Sequence, residues 1–298
     1  MSRPHCSFAE KEYVKLGAEQ GIRNDGRGLL DFRHMTVDTG FLPQAHGSSR
    51  ITLGKGVTSG CDSTDIIATI KAEVMVPTTE CPCDGDIEVS VECSSSLFTW
   101  EHNQRDARED ASIEISGILR RLLVDSVPLG SLCIMPSRFA WRIFVDVLVL
   151  KNNGGVLDAA SFAVWSALDS ARLPKLTAVE AQAGFDDDFV LDSSAESATR
   201  LDTSRIPINL TLACVGAHFL FDPTLHEESC GASQLCVAVN QDGQIAGLRQ
   251  AGSGALSTLR LRELVPQAAT AARRIFVGLK KAAGPVLPQS GTQCGFFA

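Results

Sequence analysis

An α+β fold of two similar halves, each placing strands first and a helix after them, is the architecture this chain predicts. Three observations carry it. Short runs of β-branched and apolar residues recur in both halves, broken by Gly, Asp and Ser. Apolar residues at helical spacing close each set of strands. An acidic, Ser-rich stretch at 184–204 separates the two sets.

Taken in order, residues 9–19 suit a short amphipathic helix ending near Gly21, an extension outside the core. Strands are predicted at 32–37, 50–53 and 65–74. IEVSVEC at 87–93 alternates, as a half-exposed strand in a meander with them would. The run 111–124 places Ile115, Ile118, Leu119 and Leu122 on one helical face, with Arg120 and Arg121 near its edge. Strands follow at 132–135 and 141–150, the second apolar on both faces and therefore central to a sheet. The helix predicted at 158–170 carries Ala159, Ala160, Ala163 and Ala167, which permit close approach of other elements. The stretch 184–204 reads as a solvated connection. The second half offers strands at 208–215, 218–221, 234–239 and 244–250, with Asp242-Gly243 as a hairpin signal. The run 259–282 reads as one helix, bent or started by Pro266, whose basic end at Lys280 and Lys281 suits the helix dipole. The expected units are a helical extension (1–27), a first half (28–183), the acidic connection (184–204), a second half (205–283) and a mobile tail (284–298).

With 298 residues and 44% hydrophobic content the chain has material for one large domain or two packed lobes. It contains no apolar run near the roughly 20 residues that span a bilayer, so no membrane partner is expected. MSRPHCSFAEKEY at the start lacks the apolar segment of a signal peptide, which predicts an intracellular address. In such a compartment the ten cysteines read as packing residues. The Cys81-Pro-Cys83 pair has no recognisable second pair to complete a zinc site, so neither metal nor cofactor is expected. A net charge of -8 repels nucleic acid overall, so RNA contact needs a local basic patch. The chain carries no Walker loop, dinucleotide fingerprint or Ser-His-Asp order.

The stretch 141–174 places an apolar strand, the Gly154-Gly155 turn and a small-residue helix in succession, the layout of a phosphate site. The residues that follow are Val156, Leu157 and Asp158. The helix start offers N–H groups beside an acid and no cation, so a bound anion meets repulsion there. Asp158 reads as a helix cap, worth about 1 kcal/mol.

Four motifs then stand in order: Arg23-Asn24-Asp25-Gly26-Arg27-Gly28, Gly47-Ser48-Ser49-Arg50, Val145-Asp146-Val147-Leu148 with the Gly-Gly turn, and Asp222-Pro223-Thr224-Leu225-His226-Glu227-Glu228. Together they resemble the ribonuclease PH family, over roughly 13–282. Leu157-Asp158-Ala159, Ala171-Arg172-Leu173-Pro174 and Asp222-Pro223-Thr224 resemble its non-catalytic exosome ring subunits most. The resemblance implies two βαβ-type halves, like the second domain of ribosomal protein S5, and a C-terminal helix.

Active members cleave RNA from its 3′ end by attack of inorganic phosphate. They place Ser or Thr and then Arg after the glycines, and one acid in the acidic motif with another six positions on. Here those positions hold Val156, Leu157, Glu228 and Gln234. Val156 and Leu157 bind no phosphate, and Gln234 is a poor Mg²⁺ ligand. Glu227 and Glu228 then read as surface acids or as salt-bridge partners for a neighbouring subunit, ahead of the alternative, a remnant of the metal site.

The resemblance thus implies a catalytically inactive wall of an RNA-threading channel for 3′-to-5′ RNA processing and degradation, including ribosomal RNA processing and messenger turnover. Its partners would be other ribonuclease PH-like subunits in a hetero-hexameric ring, S1/KH cap subunits, an associated exoribonuclease and RNA, in nucleus, nucleolus and cytoplasm. The competing expectation is an active phosphate-dependent exoribonuclease, or a contributor to a site shared with a neighbour. Arg121 matches a position where related ring subunits carry a pore arginine, whereas Gly117 stands one turn earlier. Arg120 accompanies it, and Arg105 and Arg108, expected in the loop before the helix, are second choices for RNA contact.

Overall fold

The computed structural model describes residues 6–54, 63–94, 97, 104–179, 188–191 and 198–282. The tail after 284, the stretch 56–63 that reads as a surface loop, except Ser63, and most of the acidic connection lie outside the described residues. Helix α1 (Phe8–Glu19) starts at a capping box in which Ser7 and Glu10 satisfy each other's backbone N–H groups. Its Val14 and Ala18 form a small satellite core with residues of the second half, Val215 and Leu220.

The first sheet takes β1 (Met35–Thr39), β2 (Gly47–Leu53), β3 (Thr64–Met75), β4 (Asp86–Cys93), β5 (Cys133–Met135) and β6 (Phe139–Lys151). Their order is β1-β2-β3-β6-β4, with β5 also on β6. β4 runs parallel to β6, Asp86 opposite Arg142 through Cys93 opposite Val149. This corrects the expected meander. Parallel neighbours need a crossover of a dozen residues or more, and α2 (Gln104–Ser126) supplies it between β4 and β6. α2 starts seven residues earlier than the apolar periodicity indicated, so Arg105 and Arg108 sit on its first turns and not in a loop. β6 is central, as expected, but only one of its faces is buried. Ile143, Val145, Val147 and Val149 point into the core, while Leu148 on the other face is 37% exposed, because α2 and α3 (Val156–Ser170) cover a single side of the sheet.

β7 (Leu176–Val179) pairs with β8 (Asp188–Leu191), and Leu173 bridges to Thr199. Part of the stretch read as a solvated connection is therefore paired backbone, built on the apolar Phe189-Val190-Leu191 between the acids. The second sheet holds β9 (Ile208–Val215), β10 (His218–Phe221), β11 (Ser233–Val239) and β12 (Ile245–Gly252), in the order β10-β9-β11-β12. β10 and β11 both lie antiparallel to β9. They consequently run the same way, joined by α4 (Leu225–Cys230), and form a split βαβ unit. The closing helix α5 (Thr258–Ala282) starts at Ser257 rather than at Pro266, which it carries inside. Leu264, Ala268, Ala272 and Phe276 recur every fourth residue and form its buried stripe.

α3 lies between the sheets and is buried on every side from Val156 to Leu168, apart from the half-buried Leu157. Its small residues allow this. A Cβ at Gly47 on β2 would stand 2.3 Å from the Ala167 carbonyl oxygen. On the other side Trp165 meets Phe276 of α5 edge-on at 5.4 Å. Both halves therefore share one hydrophobic core around α3, and the turn entering α3 is held rigidly at their junction.

Candidate functional site

The geometry of the site begins with buried arginines that the strand pattern hides. Arg33, just before β1, donates from Nε and Nη2 to the two Asp222 carboxylate oxygens at 2.9 and 2.6 Å. Its remaining N–H groups reach the carbonyls of Asn153 (2.8 Å) and Gly154 (3.0 Å). Burial disfavours the Arg33 charge, but the Asp222 carboxylate outweighs it and raises the guanidinium pKa. Asp222 is correspondingly held below the usual carboxylate range, its own desolvation overcome by Arg33 and Arg27. Arg23 makes a second fork, from Nε and Nη2 to Glu227 at 2.8 and 2.5 Å, while its Nη1 donates to the Phe221 carbonyl at 2.8 Å. The motif at 23–28 and the motif at 222–228 thus form one clasp. Glu227 is buried, bound by Arg23 and by the capping box of α4, which corrects its reading as a surface acid.

The clasp presses the second half onto the Gly-Gly turn. A Cβ at Gly154, where φ is 85°, would lie 2.4 Å from the Pro223 carbonyl oxygen. Only glycine accepts both the left-handed backbone and that approach. Thr64 secures the turn by donating to the Gly154 carbonyl at 2.7 Å and accepting from Asn153 N at 3.0 Å. At the mouth of α3 the Gly155 N–H points at Glu228 Oε1, 2.8 Å away. Glu228 is therefore no loose surface acid either: the chain's own carboxylate sits where an anion would meet the helix.

Asp158 departs from its reading as a cap. Gly155 is the N-cap, with no side-chain cap bond, and the Asp158 carboxylate instead crosses to β9. It accepts from Thr211 N (2.6 Å), Thr211 Oγ1 (2.6 Å) and Asn209 Nδ2 (2.9 Å). Complete burial pushes its pKa up to about 7 despite these donors. The nearby Cys236 thiol is raised to about 11, by burial first and by Asp158 second. Asp158 is a strut between the halves.

Beside this junction runs a groove between α2 and the β11–β12 face, made of adjoining clefts of about 550 and 470 Å³. Glu114, Leu157, Cys236 and Arg249 line both. Arg249 on β12 is bonded to Glu114 on α2 across the groove. In the larger cleft, with Glu228 and Val156, that pairing leaves no net positive charge. Among the predicted arginines, Arg121 lines the smaller cleft beside Gly117. Arg120 turns away and reaches the Ile87 carbonyl at 3.5 Å on β4. Arg105 is exposed and paired with Glu109, and half-buried Arg108 lies near Cys93. Of the four, Arg121 is the one that lines the groove.

Residues 31–174 match the model of the 3′ exoribonuclease family, domain 1, and residues 205–271 match that of domain 2. The exosome complex component Rrp42 of Sulfurisphaera tokodaii is 31% identical over 278 residues, covering 92% of this chain and 94% of that relative. This chain belongs to the 3′ exoribonuclease family. Rrp42 of Methanocella arvoryzae is 28% identical, covering 89% of this chain and 93% of the relative. A chain of the Archaeoglobus fulgidus exosome with RNA bound to the active site superposes with a TM-score of 0.71 at 25% identity, over 91% of this chain and 97% of that one. An archaeal exosome core chain superposes at 0.69 and 24% identity.

In this member of the 3′ exoribonuclease family the positions that the family motif assigns to phosphate and metal converge, but with altered chemistry. Val156 and Leu157 line the larger cleft with Glu228 and Gln234. For a Mg²⁺ ion this set offers the Glu228 carboxylate, which accepts the Gly155 N–H through Oε1, and at the second acid position only the neutral amide of Gln234, a weaker ligand. Sequence reasoning missed Arg33, Asn209, Thr211 and the Glu114–Arg249 pair. Arg33 had a signal, a cation directly after Leu29-Leu30-Asp31-Phe32. The pair had none, since 135 positions separate its members.

Proposed function

We propose that this chain is a non-catalytic ring subunit of an exosome-type assembly, forming part of the wall of a channel through which RNA passes toward a nuclease. One observation carries the reading: the start of α3, where phosphate would bind, is met by the chain's own Glu228 carboxylate and followed by Val156 and Leu157. An attacking phosphate there faces like charge instead of an arginine. The family membership and the Rrp42 relatives support the ring role. On this reading the partners are other ribonuclease PH-like subunits, S1/KH caps, a separate exoribonuclease and RNA, in nucleus, nucleolus and cytoplasm.

The test is purification from the native cells with identification of co-purifying proteins, together with an assay of the isolated chain for phosphate-dependent RNA shortening. The expected outcome is co-purification with family members and caps, and no nucleoside diphosphate released by the chain alone. Phosphate-dependent release by the solitary chain would overturn the reading.

A further inference from the structure

Outside the groove, Cys6, His226 and Cys230 bring their ligand atoms within 4.8 Å of one another, each residue half-buried. Among the described residues no other group of His, Cys, Asp and Glu has this geometry. His226 and Cys230 are one turn apart on α4 and so share a face. That turn is rigid, because its capping box runs through Glu227, which Arg23 clamps. Cys6 arrives from the other side, one residue ahead of the Ser7 cap of α1.

We propose that Cys6, His226 and Cys230 bind one Zn²⁺ ion through two thiolates and an imidazole, with the fourth position open to water. Two sulfurs and a nitrogen are the donors that this borderline-soft ion prefers. Tetrahedral coordination with metal–ligand lengths of about 2.0–2.3 Å sets ligand separations of roughly 3.5–3.8 Å. The observed spacing therefore needs a closure of at most about an ångström. The group of three ligand atoms does not include Glu10, whose Oε2 accepts the Ser7 N–H at 2.7 Å. On binding, each thiol releases its proton to solvent and the imidazole donates a lone pair. The two thiolates balance the ion's charge, and affinity rises with pH.

The ion would staple α1 to α4. The helix otherwise rests on a small contact, Val14 and Ala18 against Val215 and Leu220, while Phe8 and Tyr13 stay 83% and 64% exposed. This inference does not depend on the ring reading.

Titration of the reduced, metal-stripped full chain with Co²⁺ tests it. The expected result is one Co²⁺ per chain with tetrahedral d–d bands and thiolate charge-transfer absorption, discharged by Zn²⁺. Cys6→Ser and Cys230→Ser should each weaken binding by at least about tenfold, the lower end of what even an outer-sphere partner contributes. Cys83→Ser should leave it unchanged. In the unmodified chain Zn²⁺ should slow alkylation of Cys6 and Cys230 but not of Cys81 and Cys83, a readout independent of whether any variant folds. Absent thiolate–cobalt absorption, an affinity unchanged in Cys6→Ser, absorption that vanishes in Cys83→Ser, or a Cys6–Cys230 disulfide in place of a metal site would each overturn the proposal.

Discussion

Glu228 on α4 accepts the backbone N–H of Gly155 at 2.8 Å, so the second half of the molecule supplies the anion for the helix start of the first. Replacing it by Gln keeps an acceptor and removes the charge. Glu228→Gln should cost about 0.3–1 kcal/mol of stability. It should also make the melting temperature respond to inorganic phosphate beyond a chloride control at equal ionic strength, more so when combined with Leu157→Arg. The unmodified chain should show no such specific response. A phosphate-specific rise in it would mean that Glu228 does not close the site.

The Arg33–Asp222 fork is buried on both sides. Removing one partner of such a pair strands the other, so Arg33→Met should destabilise by about 3–5 kcal/mol in denaturant titration. The folded-state pKa of Asp222 is depressed, so its contribution is present above the unfolded carboxylate pKa and is lost as pH falls through the folded value. A loss of under about 1 kcal/mol in Arg33→Met would place the pair among ordinary surface bridges.

Asp158 titrates in the opposite sense. Its pKa rises from 3.8 to about 7 on folding, with burial as the first cause. Between those values the folded chain holds a proton that the unfolded chain has lost, so stability from this group is full below the unfolded pKa and declines as pH rises toward 7. The unmodified chain should lose stability relative to the non-titrating Asp158→Asn across that window, followed by denaturant midpoint, and the difference should level off above it. A difference that stays constant from acid to neutral pH would show that Asp158 does not titrate there.

Arg121 lines the groove and Arg120 does not. In the assembled complex, Arg121→Ala should weaken RNA binding equally for unrelated sequences and reduce the salt slope by about one phosphate contact. Arg120→Ala should change it far less. Equal effects from both would argue that RNA runs over the helix as a whole and not along the groove.

Most strands were legible because alternation and β-branching are local signals. The alternation of IEVSVEC marked β4 as half-exposed, which its burial matches. Its parallel partner was not legible, because a strand's pattern records which face is covered and not which neighbour lies beside it. The six-residue α4 is too short to show periodicity, although Thr224 and Glu227 carry its capping box in plain view. Asp158 looked like a cap because an acid in the first turn of a helix usually faces water. Here β9 packs over that turn.

The amino-acid sequence by itself determined the order of the family motifs, the α+β halves and the absence of a cation after Gly154-Gly155. These depend on residue identity and short-range spacing. Only the tertiary structure decided that Arg23 clamps Glu227 from 204 positions away, that Glu228 caps the Gly155 turn, and that Cys6 meets His226 and Cys230. A buried charge or a soft donor takes whichever partner packing brings within reach, and packing joins segments whose separation along the chain carries no trace of the contact.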